Sequence, residues 1–247
     1  MRKTREFLLG PTGETNFYHV VSRMAGRELL FGDKDKEVFR IILLKQLKFS
    51  GLRALAWCFM GNNFHLLLEV PDKEVALRDW KDDDYIERLG VLRSEWSTHQ
   101  LLGEVAMCRE NGHCDGISEI AQRVKQRMFD LSMFMKELKM KMTLAYNNAH
   151  ERRGTLWEGR FKSVLLEPPS PRLRRSRSEG RNAVGTVAAY IDLNPIRADL
   201  VNDPAEYRWC SYAAAVAGVK GARQALSFAV MGKQRVAWRT VVQEYRC

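Results

Sequence analysis

Two short stretches of this sequence carry side chains able to do chemistry at spacings that would bring them together. Asn62-Asn63-Phe64-His65-Leu66-Leu67-Leu68 sets Asn63 and His65 two residues apart at the head of an apolar run. On a strand, that spacing points both side chains to one face. An imidazole beside an amide oxygen is a partial donor set for a divalent cation, and Mg2+ or Mn2+ would ask for further oxygen ligands. A packed, hydrogen-bonded histidine is the competing reading.

The second stretch is Tyr190-Ile-Asp-Leu-Asn194-Pro195. Tyr190 and Asn194 are four apart and share a face on a helix. A phenol, with a pKa of about 10, is a poor nucleophile at neutral pH. Beside a metal-bound phosphate it can lose its proton and attack, leaving a covalent phosphotyrosine. Core packing at a helix end is the alternative.

These residues need elements to hold them. Asn16 to Ser22, rich in β-branched and aromatic residues, predicts a first strand. A helix is expected from Asp33 to about Lys48, with Gly51 as its stop. Leu52 to Met60 and Phe64 to Val70 read as two strands parted by Gly61-Asn62-Asn63. Helical spacing returns over 85 to 107, and again from Ile117 to about His150 in two pieces. Trp157 to Glu167 is expected to be a strand, and Thr186 to Leu193 a helix that stops ahead of Pro195. The order β-α-β-β, helices, β, helix predicts an α+β domain around a small antiparallel sheet.

Charge narrows the choice of partner. The 247 residues carry a net charge of +10. Between residues 120 and 181 there are 15 Lys or Arg against 6 Asp or Glu, so most of the excess lies in one quarter of the chain. Arg172, Arg174, Arg175, Arg177 and Arg181 form the densest run. Such a concentration is the footprint of a polyphosphate partner, and a solvated basic loop is the plainer account of it. Lys136, Lys139, Arg152, Arg153, Arg160 and Lys162 are further candidates for phosphate contacts, and Trp157 and Phe161 for base stacking or core packing. His19, on the first strand, either faces the metal site or packs.

Other classes fall away. No run approaches 18 apolar residues, so no membrane-spanning helix is expected. The first residues lack the apolar run of a signal peptide, which predicts a cytoplasmic protein. Five scattered cysteines imply no disulfide framework, and Cys108, His113 and Cys114 lack a second cluster that would complete a zinc site.

Five pieces in order resemble a known family. They are Tyr18-His-Val-Val-Ser-Arg23, Met60-Gly-Asn-Asn-Phe-His-Leu-Leu-Leu-Glu69, Leu156-Trp-Glu-Gly-Arg-Phe-Lys-Ser163, Tyr190 to Val201 and Tyr207-Arg-Trp-Cys-Ser-Tyr212. Together they are similar to the single-tyrosine HUH transposases, in particular to the REP-associated tyrosine transposases. The resemblance runs over residues 16 to 212, with an insertion-like stretch near 72 to 116, and leaves 213 to 247 as a helical extension. It implies a ferredoxin-like HUH fold, a small antiparallel sheet flanked by helices. It also implies cleavage of single-stranded DNA beside hairpins, with a divalent metal, Mg2+ or Mn2+, a 5′-phosphotyrosine and a free 3′-hydroxyl. Homodimers are common in the family.

Carried over by position, Tyr190 falls on the nucleophile, His65 on the second histidine of the HUH motif, and Asn194 where a helix-borne ligand completes the metal site. Asn63 stands where the family has the first histidine. That departure leaves two functions open: a DNA nicking and strand-transfer enzyme, or a domesticated, non-catalytic binder of repeat hairpins.

Overall fold

The computed structural model describes residues 11–27, 29–112, 115–168, 182–233 and 236–246. His113, Cys114, Arg172, Arg174, Arg175, Arg177 and Arg181, singled out in the sequence, lie outside the described residues. β1 (Asn16–Arg23) leads to α1 (Asp33–Ser50), then to the hairpin β2 (Arg53–Phe59) and β3 (Asn63–Val70). Five helices follow: α2 (Lys73–Ala76), α3 (Asp82–Gly90), α4 (Glu95–Glu110), α5 (Asp115–Arg127) and α6 (Leu131–Ala149). Then come β4 (Lys162–Leu166), α7 (Ala183–Asp192), α8 (Asn194–Arg197), α9 (Ser211–Val216), α10 (Lys220–Met231) and α11 (Trp238–Arg246).

The fold is α+β, with one four-stranded antiparallel sheet in the order β2-β3-β1-β4. The chain divides into two bodies. The first comprises Met1–Lys36, Arg53–Glu69 and Gly154–Cys247; the second comprises Glu37–Leu52 and Val70–Arg153.

In the first body β1 and β3 are the central strands, and their sequences suit that place. Phe64, Leu66, Leu67 and Leu68 on β3 and Val20 on β1 are fully buried. α7 and α10 pack on β2 and on each other. Gly185 permits their close approach, because a Cβ there would come within 3.1 Å of the Ala229 carbonyl oxygen. Asn182 fixes the start of α7: its Oδ1 accepts from Gly185 N at 2.7 Å and its Nδ2 donates to Val230 O at 3.2 Å. Where the sequence sets off 213 to 247 as an extension, α10 thus packs within the same body as the sheet.

The second body has its own apolar clusters. Phe49, Leu77, Tyr85, Ala121, Val124 and Met128 form one, and Ile86, Leu101, Val105 and Ile117 another. The turn after α1 requires glycine at 51, where φ is +76° and a Cβ would meet the Phe129 ring at 2.4 Å.

Two expected elements differ in extent, and a third divides in two as expected. The helix expected over 85 to 107 is two, α3 and α4, parted where Ser94 accepts from Ser97 N and caps α4. α5 and α6 separate at Phe129, whose φ is +52°, followed by Asp130, which caps Met133 N. The strand expected from Trp157 to Glu167 shrinks to β4. Trp157 makes only an isolated bridge with Met24, and the chain bends at 158–160 before pairing resumes. Among the described residues no helix is long and apolar enough to cross a membrane.

Candidate active site

The central strands each carry one histidine, and the pairing aligns them. His65 on β3 lies opposite Cys58 on β2, and His19 on β1 lies opposite Val164 on β4. His19 Nε2 and His65 Nδ1 are 3.1 Å apart. The four residues therefore form one row across a single face of the sheet. The imidazole planes differ by 21° and their centroids lie 5.4 Å apart, about the sum of the nitrogen contact and two ring radii. The rings meet end to end, as an in-plane N–H···N hydrogen bond requires, rather than face to face.

Both rings favour the neutral form. Burial lowers the His19 pKa. For His65, burial first, then the positive charge of His19 and of Arg23, lowers it to about 4. A neutral pair shares one N–H between the two facing nitrogens, which agrees with the 3.1 Å separation.

α7 brings Tyr190 to the same place. Its ring centroid is 5.8 Å from that of His19 and 5.9 Å from that of His65, edge-on to both. The residue is 41% exposed, so solvent or a substrate can reach it. The Arg197 guanidinium lies 4.4 Å from the Tyr190 ring centroid. Asn194 Nδ2 donates to the carbonyls of Tyr190 and Ile191, at 3.0 and 3.1 Å, closing the end of the helix. That leaves Oδ1 as the Asn194 atom suited to a cation.

Asn63 is half-buried. Its Nδ2 donates to Asn62 Oδ1 at 2.9 Å, while its own Oδ1 is buried with no hydrogen-bond partner. A buried acceptor without a partner is uncommon and calls for a reason. A divalent cation would supply one, and the neutral imidazole of His65 with the Asn63 oxygen suits such an ion. Among the described residues no group of three His, Cys, Asp or Glu side chains could hold a metal, so amide oxygens would have to share the coordination.

Two residues below Tyr190, Asp192 ties the helix down. It is fully buried and accepts from Ser211 Oγ at 2.7 Å, Tyr212 N at 3.1 Å and Tyr245 Oη at 2.6 Å. Burial raises its carboxyl to about 6 in spite of the bonds from Tyr245, Ser211 and Tyr212. Ser211 Oγ in turn accepts from Trp57 N on β2 at 3.0 Å. Tyr190 is therefore presented by a helix whose far side is bolted to α9, α11 and the sheet.

The basic candidates divide between the bodies. Arg160 and Lys162 are exposed in the first body. Lys162 lies opposite Val21, so it shares the sheet face of His19. Lys136, Arg152 and Arg153 are exposed, and Lys139 half-buried, in the second. Trp157 corrects an expectation. It is buried, edge-on to Phe31 at 6.2 Å and to Phe64 at 5.5 Å, so it fills the core and offers no open face to a base. Phe161 is buried as well.

The sequence alone leaves His19 between facing the site and packing, and singles out neither Arg197 nor Asp192. The signal for Arg197 was its spacing, seven residues or two helical turns beyond Tyr190. Asp192 had no local signal, because its three partners lie 19 to 53 residues away.

No family model matches the sequence, and no curated protein does. Solved structures similar to the chain include two transposases. One is a REP-associated tyrosine transposase bound to a REP hairpin, at 13% identity over 88% of this chain and 87% of that one, with a TM-score of 0.48. The other is a putative transposase from Deinococcus radiodurans, at 14% identity over 68% of this chain and 87% of that one, with a TM-score of 0.34. The chain is thus similar, at low identity, to two transposase structures.

Proposed function

We propose that this protein binds single-stranded or hairpin DNA and, as a transposase-like enzyme, cuts and rejoins it through Tyr190. The observation that carries this reading is the partly exposed Tyr190 phenol, set edge-on against the paired rings of His19 and buried His65, with Arg197 over its own ring. A core tyrosine needs neither exposure nor a guanidinium.

His65 Nε2, Asn63 Oδ1 and Asn194 Oδ1 are the atoms proposed to hold Mg2+ or Mn2+. Bound there, the ion would polarise the scissile phosphate and neutralise its charge. Arg197 and Lys162 hold the phosphate within reach of the phenol, and Arg160 meets the flanking backbone. Lys136, Lys139, Arg152 and Arg153 are proposed to contact phosphates from the second body, and such contacts position a strand without reading its sequence. In the cutting step the Tyr190 Oη–P bond forms and the P–O3′ bond breaks. The phenol gives its proton to solvent, and the 3′ oxygen takes one up, leaving a 5′-phosphotyrosine and a free 3′-hydroxyl. Rejoining runs the same exchange backwards, with a 3′-hydroxyl attacking the phosphotyrosine. The phosphodiester count is conserved, so no energy source is needed.

A non-catalytic binder of repeat hairpins is the second reading, favoured by Asn63 in place of a histidine. One experiment separates them: incubation of the protein with end-labelled single-stranded DNA carrying a hairpin, with Mn2+ or with EDTA. The first reading expects a labelled, denaturation-resistant protein–DNA adduct that requires Mn2+. Retarded DNA without an adduct under any divalent metal establishes the second.

A further inference from the structure

We infer that His19 is a positioning residue for His65, holding it in the tautomer whose Nε2 is bare and able to bind a cation. The inference rests on the proposed metal role of His65 and adds a residue that role does not name. His19 Nε2 and His65 Nδ1 face each other in plane at 3.1 Å, the separation of a hydrogen bond in which one ring donates its N–H to the other. If His65 Nδ1–H donates to His19 Nε2, then His65 Nε2 carries a lone pair. The opposite arrangement puts the proton of His65 on Nε2 and blocks it.

Metal-binding histidines generally give their other N–H to a fixed acceptor, which sets both tautomer and ring angle. That acceptor is usually a carboxylate, a carbonyl or water; here it is an imidazole on the neighbouring central strand. The sheet fixes both backbones, and the edge of Tyr190 packs against both rings. The pair cannot swing apart without disturbing the residue proposed to react.

The same geometry argues against His19 as a second ligand. Its Nε2 lone pair points along the line to His65. An ion bridging two facing nitrogens on one line, with bonds of about 2.0–2.1 Å, needs them roughly 4 Å apart. At 3.1 Å there is room for a proton and none for a metal.

The test uses the full chain labelled with 15N, and Mn2+ alone as the metal probe. Imidazole nitrogen shifts are to be recorded for the wild type, His19→Ala and His19→Gln, with His65→Ala for assignment and circular dichroism to show that each variant is folded. The wild type should show His65 protonated at Nδ1 and bare at Nε2. His19→Ala should move the proton to Nε2 and weaken Mn2+ binding at least tenfold. His19→Gln, which keeps an acceptor, should recover most of that loss. If His19→Ala misfolds, the wild-type tautomer still decides.

His65 protonated at Nε2 in the wild type overturns the inference. So does Mn2+ affinity unchanged in a folded His19→Ala variant, an absence of Mn2+ binding in the wild type, or two imidazole nitrogens coupled to Mn2+ in pulsed electron paramagnetic resonance. Adduct formation in the same samples keeps the two ideas apart. The expected tautomer and Mn2+ affinities without any DNA adduct uphold the inference and sink the cutting reaction. An adduct formed equally well by His19→Ala does the reverse.

Discussion

Each body of the molecule holds a polar cluster, and the two are built on opposite terms. In the second body Glu137 is buried and completely engaged. Arg127 Nε reaches its Oε1 at 2.6 Å, and Arg127 Nη2 and Gln46 Nε2 reach its Oε2, both at 2.9 Å. Gln46 Oε1 accepts from Lys141 Nζ at 2.6 Å, and the Arg127 guanidinium lies 4.4 Å from the Phe49 ring centroid. Burial alone would raise the Glu137 carboxyl, but the bonds from Arg127 and Gln46 bring it below its ordinary value. Every strong donor there has an acceptor. The cluster in the first body is left open: a buried amide oxygen on Asn63 without a partner, two neutral imidazoles and a tyrosine reaching solvent. A closed network of charges holds a fold, and an open set of acceptors beside a solvent-reaching tyrosine is what the proposed metal and DNA would complete.

If that contrast is right, changes in the two clusters should separate chemistry from stability. The largest effect is on chemistry. Tyr190→Phe should abolish the covalent DNA adduct, while urea unfolding shows a stability change below about 1 kcal/mol, as expected of a half-exposed side chain losing a hydroxyl. Arg127→Ala should do the opposite. It leaves the Glu137 carboxylate buried with its main partner gone, which costs about 3 to 5 kcal/mol in unfolding. Adduct yield per folded molecule should not change.

Asp192 lies between these extremes, in the body of the site but closed like the second cluster. Burial pushes its carboxyl up to about 6 in the folded state, from an ordinary value of 3.8. Between those values the folded state holds the extra proton, so stability falls as pH rises through the window, by at most about 3 kcal/mol at about 1.4 kcal/mol per unit. Asp192→Asn should flatten the profile between pH 4 and 6, read as unfolding midpoints at several pH values; an unchanged slope would mean that the carboxyl is not buried as described. The smallest effect is expected at Asn63. Asn63→His places an imidazole on the face of His65 without moving the backbone, and should tighten metal binding several-fold by calorimetry, more for Mn2+ than for Mg2+. No change for either ion would remove Asn63 from the ligand set.

Much of this was legible in the residues. The hairpin around Gly61 to Asn63, the stop before Pro195 and the helical stripe through Phe134, Leu138 and Met142 are local patterns, and local patterns survive folding. Tyr190 and His65 were marked by type and spacing. His19 was not settled, because its contact with His65 depends on β1 lying next to β3, a pairing across 46 residues. Asp192 and Glu137 were hidden for the same reason. Trp157 misled because an aromatic in a basic stretch looks the same whether it faces a base or Phe64.

The central claim is that Tyr190 forms a covalent bond to DNA, and the most direct measurement is where that bond sits. The chain contains seven tyrosines, so the position of an adduct discriminates. Protein incubated with hairpin-bearing single-stranded DNA and Mn2+ would be digested with protease and nuclease and its peptides read by tandem mass spectrometry. The account predicts a 5′-linked nucleotide on the peptide carrying Tyr190 and on no other tyrosine. A nucleotide on a different residue, or DNA bound tightly with every tyrosine unmodified, would contradict it.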